Sequence, residues 1–254
     1  MDFTLIKYEK LLKTLIEKKY NFQTFAEFLK SPKKKSVILR HDVDLMPKNS
    51  LRFAKIQNKY GVSGTYFFRS LPCSFDIEII KQISELKHEI GYHYENMDTH
   101  KGNLDLAFKD FKEKLNLFRS VSKIETICMH GSPLSNYDNK DLWKKFDYKS
   151  LDLIGEPYLD LDFEKIFYFT DTGRSWNGEI FSIRDKVNSK LNNRYIIKST
   201  EDLISRINND DFPNQLMITF HPQRWNNNIF FWVRELLFQK LKNLVKYFLI
   251  KARK

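Results

Sequence analysis

The chain has 254 residues, 42% hydrophobic and 30% charged, with only 8 Gly and 7 Pro. That is enough apolar material for a full core, and it excludes wholesale disorder and collagen-like or low-complexity classes. Two cysteines, Cys73 and Cys128, exclude a disulfide scaffold, suggest a reducing compartment and are expected to be buried, inert thiols. The formal charge of +11, from 43 Lys+Arg against 32 Asp+Glu, suits nucleic acid, an anionic membrane, an acidic substrate or simply a Lys-rich composition.

Over the first 30 residues, Leu5, Tyr8, Leu11, Leu12 and Leu15 recur at three- and four-residue spacing and predict a helix. Phe25 and Phe28 predict a second, short one, and Ser31-Pro32-Lys33 breaks it. Charges every few residues argue against a signal peptide, and no run approaches the roughly 18–20 apolar residues of a membrane span. The expected location is the cytoplasm. From there on, short apolar runs at 36–40, 64–69, 89–93, 124–130, 151–155, 166–171 and 216–221 alternate with helix-like stretches at 49–60, 75–87, 104–121, 139–146 and 200–207.

This alternation predicts βα units and a parallel sheet. About seven units in this length predict an α/β barrel, closed or nearly closed, with an open doubly wound sheet as the alternative. No glycine-rich phosphate loop follows the first strand. The polar, Asn-rich segment 185–195 predicts a long loop within a single domain. Its core spans about 36–226, with helical extensions at 1–30 and 229–254. In the last extension Phe230, Val233, Leu237, Leu241, Leu244 and Phe248 mark one stripe, with Lys240, Lys242, Lys246, Lys251, Arg253 and Lys254 mostly off it. Two readings fit: a final helix packed on the barrel, or an interfacial helix on an anionic membrane at its inner, cytoplasmic face.

The rare polar residues collect at strand ends. Of six His, four (His41, His93, His130 and His221) end or follow a predicted strand, as do Asp42, Asp44, Glu95 and Asp171. Strand C-termini of a parallel barrel open on one face, so these groups predict a metal or acid–base site there. His88 precedes its strand and is expected at the opposite end, in a structural role. His100 lies in a polar loop and is expected to be solvated.

Arg40-His41-Asp42-Val43-Asp44, then Gly64-Thr65-Tyr66-Phe67-Phe68, then His88-Glu89-Ile90-Gly91-Tyr92-His93-Tyr94-Glu95 resemble, in that order, the polysaccharide deacetylase family. This is the NodB-homology or carbohydrate esterase family 4 group, and the resemblance is to its R-H-D-V-D branch, over about residues 37–225. It implies a distorted (β/α)7–8 barrel, a divalent metal, usually zinc, and hydrolysis of an N-acetyl group on an amino sugar. By motif, Asp42 matches the catalytic base, Asp44 the first metal ligand and His93 the first His of the H-x-x-x-H pair. The second His of that pair is absent, since position 97 is Met97. His130, Glu95 or His100 could replace it; His130 is favoured because it ends its own strand before Gly131, and Glu95 comes next. Asp171-Thr172-Gly173-Arg174-Ser175-Trp176 resembles the later aspartate–tryptophan motif, and His221 before Pro222 the late histidine that acts as general acid.

With that chemistry, Arg40 or Arg174 would orient Asp42, and a backbone N–H of the Gly131–Ser132 turn would hold the oxyanion. Tyr94, Trp176 and Trp225 would wall a sugar ring. The implied partner is an N-acetylated sugar, lipid- or nucleotide-linked, in a glycan or its precursor; no fold signature points to nucleic acid. A hydrolase of another amide or ester, and a catalytically inactive carbohydrate-binding barrel, are the alternatives.

Overall fold

The structure, a computed structural model, describes residues 1–132, 135–176, 187, 189, 195–209 and 212–252. Its elements are α1 (Leu5–Glu17), β1 (Asn21–Gln23), α2 (Phe25–Lys30), β2 (Ser36–Val43), α3 (Pro47–Lys59), β3 (Thr65–Phe68), α4 (Ile77–Glu85) and β4 (Glu89–Tyr94). They continue with α5 (Asn96–Thr99), α6 (Leu104–Arg119), β5 (Ile124–Met129), α7 (Pro157–Asp160), β6 (Phe167–Thr170), α8 (Thr200–Ile207), β7 (Gln215–Phe220) and α9 (Ile229–Ala252). The expected helix at 139–146 forms instead as a 3₁₀ turn over Asn139–Lys144. The expected loop 185–195 lies almost entirely outside the described residues. Among the described residues no helix is long and apolar enough to cross a membrane.

Local chemistry explains the starts of the first helices. Thr4 caps α1 by accepting from the Lys7 N–H, and Tyr8, Leu11, Leu12 and Leu15 are its buried stripe. At α2 the Thr24 side chain accepts from the Glu27 N–H while the Glu27 carboxylate accepts from the Thr24 N–H, a reciprocal cap.

All strand pairs are parallel, in the order β5-β4-β3-β2-β7-β6. The central strand β2 is buried along its whole length. β7 takes one of its edges from Ser36 to His41, while β1 and β3 share the other: β1 pairs Ser36–Ile38, and β3 pairs Arg40–Val43. Beyond β5 the expected strand at 151–155 shrinks to a single bridge, Thr126 to Gly155. Residues Tyr148–Leu151 are spent on a 3₁₀ turn, and Asp152 then takes a left-handed conformation, so no extended run forms. Among the described residues β6 pairs with β7 alone. The result is a distorted (β/α) barrel.

Successive side chains on a strand point to opposite faces. One face builds the small interior, where Ile38, Phe67, Cys128 and Met217 pack with Phe25 and Phe28 of α2. The other builds the larger layer under the helices, with Leu39, Val43, Tyr66, Phe68, Tyr92, Tyr94, Ile218 and Phe220. Gly91 sits on the interior side of β4, where a Cβ would lie 2.4 Å from ring carbons of Phe67.

Candidate active site

Each interior-facing row ends in a polar side chain. Ile38 and Arg40 lead to Asp42; Phe67 leads to Arg69; Gly91 leads to His93; Cys128 leads to His130; Met217 and Thr219 lead to His221. These ends border one cavity of about 540 Å³, together with Asp44, Gly131, Ser132, Gln223 and Arg224.

Three imidazoles face Asp44 through the same ring atom. His93 Nε2 and His130 Nε2 each lie 3.7 Å from Asp44 Oδ1, and His221 Nε2 lies 3.9 Å from Asp44 Oδ2. Behind them His93 Nδ1 donates to the Cys128 carbonyl at 2.9 Å and His221 Nδ1 meets Asp171 Oδ1 at 2.5 Å, whereas His130 Nδ1 lies 3.2 Å from Glu95 Oε2 as an ion-pair contact without hydrogen-bond geometry. A neutral imidazole that donates from Nδ1 presents a lone pair at Nε2. Asp44 Oδ2 accepts from Gln223 Nε2 at 3.2 Å, whereas Oδ1 is shielded from solvent and has no hydrogen-bond partner. Burial works against the charge on Asp44, but His130, His221 and His93 outweigh it and hold the carboxyl well below its usual range.

Beside this group, Asp42 receives a two-point contact from Arg40, Nε to Oδ1 at 2.8 Å and Nη2 to Oδ2 at 2.7 Å. Burial opposes the charge of Asp42, and Arg40, with His93 and His221, more than compensates. The Arg40 guanidinium is itself fully buried, over the Tyr158 ring at 5.0 Å. Deeper in the barrel, Glu156 accepts from the N–H groups of Met129 and Tyr158, and burial pushes its carboxyl up to about 7.

Asp171, at the end of β6, is completely buried and serves as a hub. It accepts from the His221 N–H at 3.0 Å, Arg224 Nη1 at 2.8 Å and Trp225 Nε1 at 2.6 Å, besides the His221 ring. That fixes the imidazole from behind and keeps Asp171 ionised against the cost of burial.

The expected residues separate on this geometry. Asp42, Asp44, His93, His130 and His221 come together. Arg40 and Asp171 stand directly behind them. Glu95 is gripped by Arg69, Nε to Oε1 at 3.0 Å and Nη2 to Oε2 at 2.6 Å, and its carboxyl is held down to about 2 by His130 and Arg69 in spite of burial. It faces the back of His130, not the centre where the Nε2 atoms meet.

Five expected placements change. Tyr94 points to the outer layer, fully buried, and its hydroxyl accepts from Trp143 Nε1. Trp176 and Trp225 are likewise buried, donating to Thr200 and Asp171, so none of the three walls the cavity. Arg174 is spent on the Trp232 carbonyl and stacks on that ring, leaving Arg40 alone to hold Asp42. His41 also faces outward, stacked on Tyr66 at 4.1 Å, with burial pushing its pKa down to about 3. His41 lies between Arg40 and Asp42, so strand alternation already assigns it to the opposite face.

The remaining His stand apart from this group. His88 caps the opposite end of β4, accepting from the Gly64 N–H. Met97 lies in α5, buried in the outer layer. His100 pairs with Asp110 at 3.3 Å. Cys73 is exposed, against expectation, and Cys128 is buried.

Several site residues carried no signal of their own. Arg69 ends the β3 row, and Gln223 and Arg224 follow His221. The wall opposite the barrel comes from α9, through Glu235, Phe238, Gln239, Leu241, Lys242 and Val245.

Among the described residues, Asp42, His93 and Cys128 place one donor atom each within 4.8 Å of one another, a group able to hold a metal ion. Asp42 is already paired with Arg40, and its competitor Asp44 offers a shielded, unpartnered oxygen beside two Nε2 atoms. A carboxylate with two imidazoles is a donor set that zinc accepts.

No protein-family model matches the chain, and no curated protein does. Solved structures do. One is a CE4 family pseudoenzyme from Bacillus anthracis, 14% identical with a TM-score of 0.45, covering 83% of this chain and 62% of its own. The present chain therefore spans less than two thirds of that protein. The Xyl-CE4 domain of a multidomain xylanase from the hindgut metagenome of Trinervitermes trinervoides is 11% identical with a TM-score of 0.44, covering 84% of this chain and 85% of its own. Bacillus subtilis PdaA, a family 4 carbohydrate esterase, is 13% identical with a TM-score of 0.40, covering 91% of this chain and 83% of its own.

Proposed function

We propose that this chain is a metal-dependent hydrolase that removes an N-acetyl group from an amino sugar in a glycan or glycan precursor. The observation that carries the reading is the meeting of three Nε2 atoms on one carboxylate, with the rings of His93 and His221 hydrogen-bonded from behind and Glu95 standing behind His130. Such pre-positioning holds imidazoles ready for a ligand or a proton.

Asp44, His93 and His130 would hold the ion, zinc by donor type, with Glu95 orienting His130. When bound, such an ion polarises the acyl oxygen and lowers the pKa of water. Asp42 takes the proton of the attacking water, and Arg40 keeps that carboxylate ionised and aimed. The Gly131–Ser132 backbone borders the cavity where the acyl oxygen would turn negative. His221 gives a proton from Nε2 to the departing nitrogen, and Asp171 holds the ring so that only Nε2 faces the cavity.

The test measures metal content and acetate release together. Wild type is expected to hold stoichiometric divalent metal and to release acetate from N-acetylated sugars. Asp44→Ala, His93→Ala and His130→Ala are expected to lose metal. A chain that holds no divalent metal and releases no acetate would overturn the proposal. Release from O-acetyl substrates alone would move the activity to esters.

A further inference from the structure

Helix α9 is inverted with respect to water. Its barrel-facing side is polar: Asn243 Nδ2 donates to the Gly173 carbonyl at 2.8 Å, Gln239 Nε2 donates to Asn243 Oδ1 at 2.7 Å, and Gln239 is 4% exposed. Trp232 anchors the same side through Nε1 to the Asp2 carbonyl. Its outward side is the apolar stripe, with Phe230 68% exposed, Leu237 62%, Leu241 60% and Leu244 54%. The helix thus packs on the barrel through the face opposite to the one expected for a helix in water. A contiguous apolar face held outward by a hydrogen-bonded polar one marks a surface that something covers.

Charge identifies what covers it. Lys240 and Lys242 flank the stripe on either side, with Arg234 between, and the chain as a whole carries +11. Long basic stems beside Phe and Leu are the arrangement by which a helix lies in a lipid interface, its charges reaching the anionic headgroups. The cavity adds a second observation. Phe238, Leu241 and Val245 are exposed on α9 and also line the cavity whose floor holds Asp42, Asp44 and the imidazoles. One wall of the site is therefore continuous with the apolar face, and the floor is polar.

We infer that the outward face of α9 seats on an anionic lipid surface, and that the site beside it takes an N-acetylated sugar carried on a membrane lipid. The substrate half rests on the hydrolase proposed above. A polar headgroup fits the floor, and an acyl or alkyl chain leaves past Phe238, Leu241 and Val245 without crossing water.

The full chain is mixed with vesicles of phosphatidylcholine, with or without phosphatidylglycerol, and sedimented. Wild type is expected to bind the anionic vesicles, less at high salt. The double variant Leu237→Glu/Leu244→Glu, which leaves the cavity untouched, is expected to lose binding by about tenfold or more, with an unchanged near-ultraviolet dichroism spectrum. Absence of vesicle binding in wild type overturns the inference, as does equal binding by the variant. A dimer in sedimentation velocity that the variant dissociates, with no vesicle binding, assigns the face to a second copy and also overturns it.

Acetate release is then compared for N-acetylglucosamine on an octadecyl chain in those vesicles and for its soluble methyl glycoside. Preference for the vesicle-borne sugar, lost in the double variant, is expected; equal rates overturn the substrate half. Vesicle binding with acetate released from neither sugar overturns the hydrolase and leaves the docking surface standing.

Discussion

His221 bridges two carboxylates: its Nδ1 lies 2.5 Å from Asp171 Oδ1, and its Nε2 lies 3.9 Å from Asp44 Oδ2. One carboxylate is completely buried and held by Arg224 and Trp225; the other faces the cavity. The imidazole therefore has a fixed back and a working front. This separates groups that hold from groups that react, and the variants below divide along it.

Asp42 and Asp44 should fail differently. Asp44→Ala removes the carboxylate on which the Nε2 atoms meet, so metal and activity should disappear together. Asp42→Asn keeps the shape and loses the base. It should retain metal and lower kcat by about 10²–10⁴-fold. Metal analysis by mass spectrometry beside steady-state acetate release distinguishes the two, and loss of metal in Asp42→Asn would contradict the assignment.

Asp171→Asn should leave metal bound and lower kcat, up to the ~10²–10⁴-fold that general acid catalysis contributes. Asp171→Ala should in addition destabilise the fold by up to about 3–5 kcal/mol, because it removes the carboxylate that neutralises the buried Arg224 guanidinium and leaves it only the Asp171 backbone carbonyl. Urea denaturation measures the second effect, and a wild-type midpoint would count against the hub.

Glu95 stands behind His130 and is gripped by Arg69. Glu95→Gln should weaken metal binding by about 10–100-fold without abolishing it, as expected for a group that orients a ligand. A titration with a competing chelator reads this directly. Complete loss of metal, equal to that of His130→Ala, would make Glu95 a ligand.

Stability should fall on the acid side of neutrality because of two buried imidazoles outside the site. Burial presses His41 down to about 3 and His88 to about 4. In the unfolded chain both take protons near 6.5. Their contribution is complete above about pH 6.5 and is lost as pH falls toward the folded-state values, at up to about 1.4 kcal/mol per pH unit for each. His41→Gln, which keeps a donor for the Thr65 carbonyl, should give a shallower slope between pH 6.5 and 4 in urea unfolding; an unchanged slope would refute this.

Gly91→Ala should cost about 1–3 kcal/mol, since the added methyl meets the Phe67 ring inside the barrel. Phe67→Leu in the same chain should recover part of that cost. The four-protein cycle, read by thermal or urea unfolding, should show a coupling term of about 0.5 kcal/mol or more.

The elements of this fold were legible where they rest on local chemistry. Apolar spacing marks α1, and the runs at 36–40, 89–93, 124–130 and 216–221 all became strands. Strand alternation also carries more than it first suggests: it sets Asp42 inward and His41 outward, and it sends Tyr94 to the opposite face from His93 and Glu95. Both follow from a period of two that any reader of the sequence can count.

Other features could not be counted from the sequence in this way. The strand expected at 151–155 is a single bridge because Asp152 turns the chain just before it. Arg69 joined the site only because β3 lies between β2 and β4, which brings its guanidinium to Glu95. Met97 stands where the resemblance implies a second His, and only the succession of pairings from β2 through β3 and β4 to β5 sets His130 against Asp44. In α9 the sequence determined a two-faced helix, since spacing alone places Leu237 and Gln239 on different sides. Which side meets the barrel was decided in three dimensions. The Gly173 carbonyl takes a hydrogen bond from Asn243 and the Asp2 carbonyl one from Trp232, and carbonyls removed from water take hydrogen bonds before they take leucines.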